Sequence, residues 1–149
     1  MDAHARAVVK RVAGRSHAKL WSKRMRIAVT SMDKSLDSPV SKRFGRSAYV
    51  FVADTGTRVV KIIDNRAHAA LGLGAGAKTA EMLANLQVEW VATGEIGRES
   101  FQILRNSGVL VVTRASGTCR EALDRLEAGD LTPALCPTDP TGAQVPCTE

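Results

Sequence analysis

The chain has 149 residues, 44% of them hydrophobic and only 4% aromatic, with a formal charge of +6. That length suits one domain with a mostly aliphatic core, and no apolar run approaches the roughly 18 residues of a transmembrane helix. Residues 1–24 carry seven Lys and Arg against Asp2, which accounts for the whole excess, because the 14 basic and 14 acidic residues from Met25 onward cancel. The charge thus belongs to an arm and not to a basic domain surface.

The arm, residues 1–24, holds a short helical stripe, Ala5, Val8, Val9 and Val12. Three readings stay open for it: a solvated appendage, weak electrostatic binding to anionic lipid or nucleic acid, or packing on another subunit. The N-terminus lacks the apolar core of a secretory signal. Cys119, Cys136 and Cys147 do not make a disulfide framework. Both features predict a reducing, cytoplasmic setting.

Met25–Met32 alternates apolar and polar residues and predicts the first strand. A polar loop follows, with Lys42, Arg43 and Arg46 near its end. Residues 48–55 and 58–64 predict two strands joined by Thr55-Gly56-Thr57, a hairpin turn. Ala77, Ala80, Leu83, Ala84 and Leu86 then keep a helical period. Residues 88–93 predict a strand, 97–108 a helix stopped by Gly108, and 109–113 an apolar strand buried on both faces. The last helix lies within 116–130, with Ser116 or Thr118 as N-cap and Glu121 completing a capping box with Thr118. Strands separated by helices must pair in parallel through right-handed crossovers, whereas the hairpin is antiparallel. The expected fold is therefore α/β, with a mixed sheet and helices on both faces. From Thr132 the periodicity stops, and residues 132–149 hold four of the five prolines and no basic residue. This composition predicts a disordered tail, leaving residues 25–131 as the domain.

The stretch Gly72-Leu-Gly-Ala-Gly-Ala-Lys78-Thr79 approaches a nucleotide P-loop, but Ala77 stands where the second glycine is required. A milder anion site remains, because Gly74 and Gly76 lead into a helix N-terminus. The loop with Thr93, Gly94 and Glu95 and the loop with Gly117 and Thr118 have the same strand-to-helix character, and such loops gather at one edge of an open α/β sheet. Lys42, Arg43 and Arg46 add cations at that edge. All three loops are equally explained by capping needs, and the cations by a solvated basic loop. Catalysis finds little support: His4 and His17 lie in the arm, and no acid lies within the first strand to anchor two-metal chemistry. Cys119 sits at a helix start, where a thiolate is favoured.

Three segments together, 25–55, 73–97 and 101–131, resemble the dinitrogenase iron-molybdenum cofactor biosynthesis domain, the NifX-like family also found in NafY and at the C-terminus of NifB. The pieces that carry the resemblance are LDSPVSKRFGR, GAG, TGEIG and GTCREAL. It implies a ribonuclease H-like three-layer fold with a five-stranded mixed sheet, no enzymatic activity, and a carrier or accessory role for iron-sulfur or iron-molybdenum clusters, with metallocluster assembly proteins as partners. The family often has histidine where this chain has Arg43 and Leu73. His68 and Cys119 are then the soft donors left for a metal, and Lys42, Arg43 and Arg46 are the groups suited to a negatively charged cluster. The alternatives are an anion- or nucleotide-binding module or enzyme using the basic loop and helix N-termini, and a regulatory protein using the basic arm.

Overall fold

The computed structural model describes residues 24–138. In chain order these form β1 (Arg26–Ser31), a 3-10 turn (Phe44–Arg46), β2 (Tyr49–Asp54), β3 (Val59–Asp64), α1 (Arg66–Ala69), α2 (Ala75–Asn85), β4 (Trp90–Ala92), α3 (Arg98–Asn106), β5 (Leu110–Val112) and α4 (Cys119–Ala128). The five strands form one sheet in the order β3-β2-β1-β4-β5. β1 pairs antiparallel with β2, as does β2 with β3, whereas β1–β4 and β4–β5 are parallel. The mixed sheet flanked by helices is the expected α/β architecture.

The two layers follow from the period-2 alternation of the strands. Ala28, Val50, Val52, Val91 and Val111 face Ala80 and Leu83 of α2 and Phe101 and Leu104 of α3. Their sequence neighbours Ile27, Val29, Phe51, Ala92 and Val112 face Cys119, Ala122, Leu123 and Leu126 of α4. One helix covers the second face, so at the β3 edge Val60 and Ile62 stay exposed. No helix among the described residues is long and apolar enough to cross a membrane.

Several boundaries differ from expectation for local reasons. The β2–β3 turn runs through Arg58, which sits at φ 66, so the strand starts one residue late. Asp54 organises this turn: its Oδ1 accepts from the amides of Gly56 and Thr57, and its carboxylate pairs with Arg24. The Arg24 hydrogen bond holds the Asp54 carboxyl below its ordinary pKa. Arg24 is thus part of the domain, and the rest of the expected arm, residues 1–23, lies outside the described residues. α1 and the 3-10 turn have no sequence period of their own, being too short to show one.

The segment assigned to the tail begins on the domain. The Ala134 amide donates to Val111 O (2.7 Å), Arg105 donates to Leu135 O (3.1 Å), and Thr138 is buried beside Ile96. Backbone hydrogen bonds, invisible to composition, hold this proline-rich stretch. Residues 139–149 lie outside the described residues. Cys136 is disulfide-bonded, against the expectation of unpaired thiols, whereas Cys119 is free.

α4 has the predicted capping box: Thr118 Oγ1 accepts from the Glu121 amide (3.1 Å), and Glu121 Oε1 accepts from the Thr118 amide (2.9 Å). Thr118→Ala is expected to cost about 1 kcal/mol, read as a lower urea midpoint with an unchanged slope.

Candidate functional site

β1 and β4 are parallel neighbours at the centre of the sheet, so the loops leaving their C-terminal ends meet at one edge. The buried hydroxyls of Thr30 and Thr93 join the two strand ends, 2.7 Å apart. After β1 the chain makes an excursion and returns, with the Ser41 amide donating to Thr30 O (2.9 Å). It then lies alongside the β4–α3 loop: the Glu95 amide donates to Lys42 O (2.7 Å) and the Phe44 amide to Glu95 O (2.8 Å). Phe44, 1% exposed, drives the turn into the core.

Two close backbone approaches make this possible. A Cβ on Gly45 would lie 2.8 Å from Gly76 N, and one on Gly94 would collide with the Lys42 carbonyl. The returning loop therefore sits directly on the start of α2 and on the β4–α3 loop. A buried polar network locks it there. Ser47 Oγ lies 2.9 Å from Ser41 Oγ and 2.8 Å from Arg43 O, Asn65 Nδ2 donates to Ser47 O and Thr79 Oγ1, and Thr79 Oγ1 donates to Ala75 O. Arg46 reaches out of the same turn and donates to the carbonyls of Ala69 (2.9 Å), Leu71 (2.6 Å) and Gly72 (3.2 Å). It thereby ties down the glycine-rich loop ahead of α2.

The result is a groove of about 460 Å³ between the 3-10 turn, the glycine loop and the first turn of α3. Arg43, Arg46, Gly74, Gly76 and Glu95 line it, joined by Leu73, Gly97, Ser100 and Thr138. Both helices that begin at the groove lack a side-chain cap. Gly74 precedes α2 in the left-handed region at φ 86, and Gly97 precedes α3. The first-turn amides of a helix have no intrahelical acceptor, and each N-terminus acts as about half a positive charge. With two exposed guanidinium groups and one carboxylate, the groove is suited to an anion.

α4 provides the contrast. Besides the capping box, the Cys119 and Arg120 amides donate to Ser38 O and Leu36 O, both 2.9 Å. Its N-terminus is filled by the protein itself, and neither Gly117 nor Thr118 lines the groove. Gly117, at φ 83, accepts from the Val40 amide instead. Lys42, Thr93 and Gly94 support the groove from beneath without lining it. The P-loop-like pair serves the helix: Lys78 lies 3.8 Å from Glu81, and Thr79 is buried.

His68 and Cys119 are not brought together. Cys119 is fully buried on the α4 face of the sheet, its thiol 3.7 Å from the carbonyls of Thr30 and Pro39, and burial raises its pKa. His68 is on α1, on the opposite side. Its Nδ1 lies 2.9 Å from Asn65 Oδ1. The Asn65 oxygen can only accept, so in the neutral ring the proton sits on Nδ1 and Nε2 carries the lone pair. Among the described residues no group of three His, Cys, Asp or Glu is arranged for a metal ion. Sequence reasoning missed Gly97 and Ser100, although a helix start without Ser, Thr, Asp or Asn at its cap was a readable signal; Thr138 left none.

A family model described as dinitrogenase iron-molybdenum cofactor matches residues 23–129. Among solved structures, the apo form of the orange protein from Desulfovibrio gigas is 35% identical, covering 77% of this chain and 97% of that one with a TM-score of 0.73. A prospective NifB protein from Thermotoga is 34% identical, covering 73% and 92% with a TM-score of 0.64. A prospective dinitrogenase from Methanocaldococcus jannaschii, 15% identical over 77% and 99% with a TM-score of 0.58, shares the fold. None of the curated proteins compared matches the chain.

Two outcomes follow from the geometry. Gly94→Ala should cost about 2 kcal/mol or more by overpacking, while Gly72→Ala, where an added Cβ meets nothing within 4 Å, should stay within about 1 kcal/mol of the parent in chemical denaturation. Native Cys119 should resist iodoacetamide at pH 8 and become reactive only in denaturant, as mass spectrometry of the alkylated peptide would show.

Proposed function

Because the chain belongs to the dinitrogenase iron-molybdenum cofactor family, we propose that it is a non-catalytic carrier that holds an anionic metal–sulfur cluster, or a precursor of one, in the groove between the 3-10 turn and the starts of α2 and α3. One observation carries this reading: two uncapped helix N-termini open into one groove beside Arg43 and Arg46. Sulfide and oxo groups of a cluster accept hydrogen bonds from such amides, and the cations offset its negative charge. The cargo is retained chiefly by charge and hydrogen bonding, because the donor set near the groove is poor in soft ligands. Among the described residues the imidazole is His68, on α1, whose C-terminal carbonyl at Ala69 Arg46 holds; it does not line the groove, and direct ligation by it would add to the charge-based hold. Cys119 is too deeply buried to serve without rearrangement.

The same geometry argues against an enzyme or a nucleotide site. Glu95 is the only titratable acid or base among the lining residues apart from the arginines, so the groove offers no acid–base pair. The lysine of the P-loop-like stretch lies outside it. The strand order, with β2 reversed against β1 and β3, supports a ribonuclease H-like assignment. Metallocluster assembly proteins are the partners such a carrier requires.

Anaerobic titration with tetrathiomolybdate, a molybdenum–sulfur dianion with visible absorption, tests the reading. Arg43→Glu exchanges an attraction for a repulsion in a half-exposed site, worth roughly 1–3 kcal/mol, so the dissociation constant should rise by about one to two decades. His68→Ala should cause a smaller loss. An Arg43→Glu chain that binds as tightly as the parent would falsify the groove assignment.

A further inference from the structure

Taking the location of the site from the cargo reading above, we infer that the groove receives its metal as an oxygen-terminated anion, a tetrahedral oxyanion of the molybdate class, and that the Ser100 hydroxyl donates to one of its oxygens. Ser100 is the third residue of α3, lines the groove and is 6% exposed. Its hydroxyl has no hydrogen-bonding partner among the described residues. Every other buried Ser or Thr among them has one. Thr30 and Thr93 bond each other, Thr79 donates to Ala75 O, Thr138 bonds Ile96, and Ser31, Ser41 and Ser47 lie within hydrogen-bond distance of backbone carbonyls. A buried hydroxyl left unpaired costs free energy. A partner from outside the chain, bound in the groove, completes it.

The close approach of α2 and α3 puts the hydroxyl where an anion can reach it. A Cβ on Gly76 would collide with Ser100 Oγ, so the second residue of α2 leaves open the space that the hydroxyl occupies. In α2 the first amide with an acceptor in its own helix is that of Lys78, on Gly74 O (3.0 Å), and in α3 that of Phe101, on Gly97 O (3.0 Å). The amides ahead of them belong to the two helix starts that open into the groove. Amide, guanidinium and hydroxyl are hard donors, and no thiol, thioether or imidazole is among the described lining residues. Such donors make short, strong bonds to an oxyanion and longer, weaker ones to the larger, softer sulfide. Thr138, the other hydroxyl of the wall, is spent on Ile96, so Ser100 supplies the uncommitted O–H that favours an oxo group over a sulfido group.

Calorimetric titration of the full chain and its Ser100→Ala variant with molybdate, tetrathiomolybdate and phosphate tests this. The parent is expected to bind molybdate more tightly than phosphate, the larger anion filling more of the groove. Ser100→Ala should lose about tenfold in molybdate affinity, the worth of one hydrogen bond to a charged group, and no more than about twofold in tetrathiomolybdate affinity. Its urea midpoint should equal or exceed the parent's, because no bond within the protein is lost. An unchanged molybdate affinity, equal losses for the two metal anions, or a lower urea midpoint would overturn the role of Ser100. Tighter binding of phosphate than of molybdate would overturn the metal oxyanion as ligand. In each of these cases the cargo reading stands if Arg43→Glu still weakens tetrathiomolybdate binding, whereas a parent that binds neither metal anion overturns both.

Discussion

Two places where backbone meets backbone set the geometry of this protein: Gly45 against Gly76, and Gly94 against Lys42. A single Cβ at either contact would push the β1–β2 loop away from the helices it touches. With the contact made, the 3-10 turn lies flat on the start of α2 and pairs with the β4–α3 loop, and the groove is the space that remains. The glycines thus act by omission of a side chain at a fixed separation, which differs from supplying flexibility. Gly74 is the exception, being needed for its left-handed backbone.

Close loops bring polar backbone groups out of water, and each must find a partner. The chain from Ser41 through Ser47, Asn65 and Thr79 to Ala75 O meets that requirement with small hydroxyl and amide side chains that fit where little room exists. Arg46 completes it by donating to three carbonyls of the glycine-rich loop. Its contribution to the groove is therefore double: it orders the wall and keeps its charge. Arg43, whose backbone is held beside Glu95, is left to present its side chain outward.

The treatment of the helix starts separates site from scaffold. α4 satisfies its own N-terminus twice over, by the capping box and by the carbonyls of Leu36 and Ser38. α2 and α3 do not, and they are the two that open into the groove. The positions where the resemblance expects histidine are Arg43 and Leu73, and both line that groove. This chain has a guanidinium at one of these positions and a projecting apolar side chain at the other. Leu73, 96% exposed on a loop that Arg46 holds, is the most exposed apolar group of its rim.

Local signals were enough to read the five strands, the three long helices, the mixed sheet and the capping box, because alternation, helical period and cap residues are all encoded within a few residues of where they act. The same locality placed Arg43, Arg46, Gly74, Gly76 and Glu95 at the strand edge. It could not tell a helix start filled by a distant loop from one left open, and so it treated Gly117 and Thr118 as equal to the rest. It paired His68 with Cys119 as soft donors, though the sheet lies between them. It assigned Thr138 to a tail, because the hydrogen bonds that hold that residue come from Ile96, 42 positions away. Sequence patterns carry what each segment does to itself; which amides stay unfilled, which thiol is buried and which strand of tail becomes a wall depend on contacts between segments, and those exist only after the chain has packed.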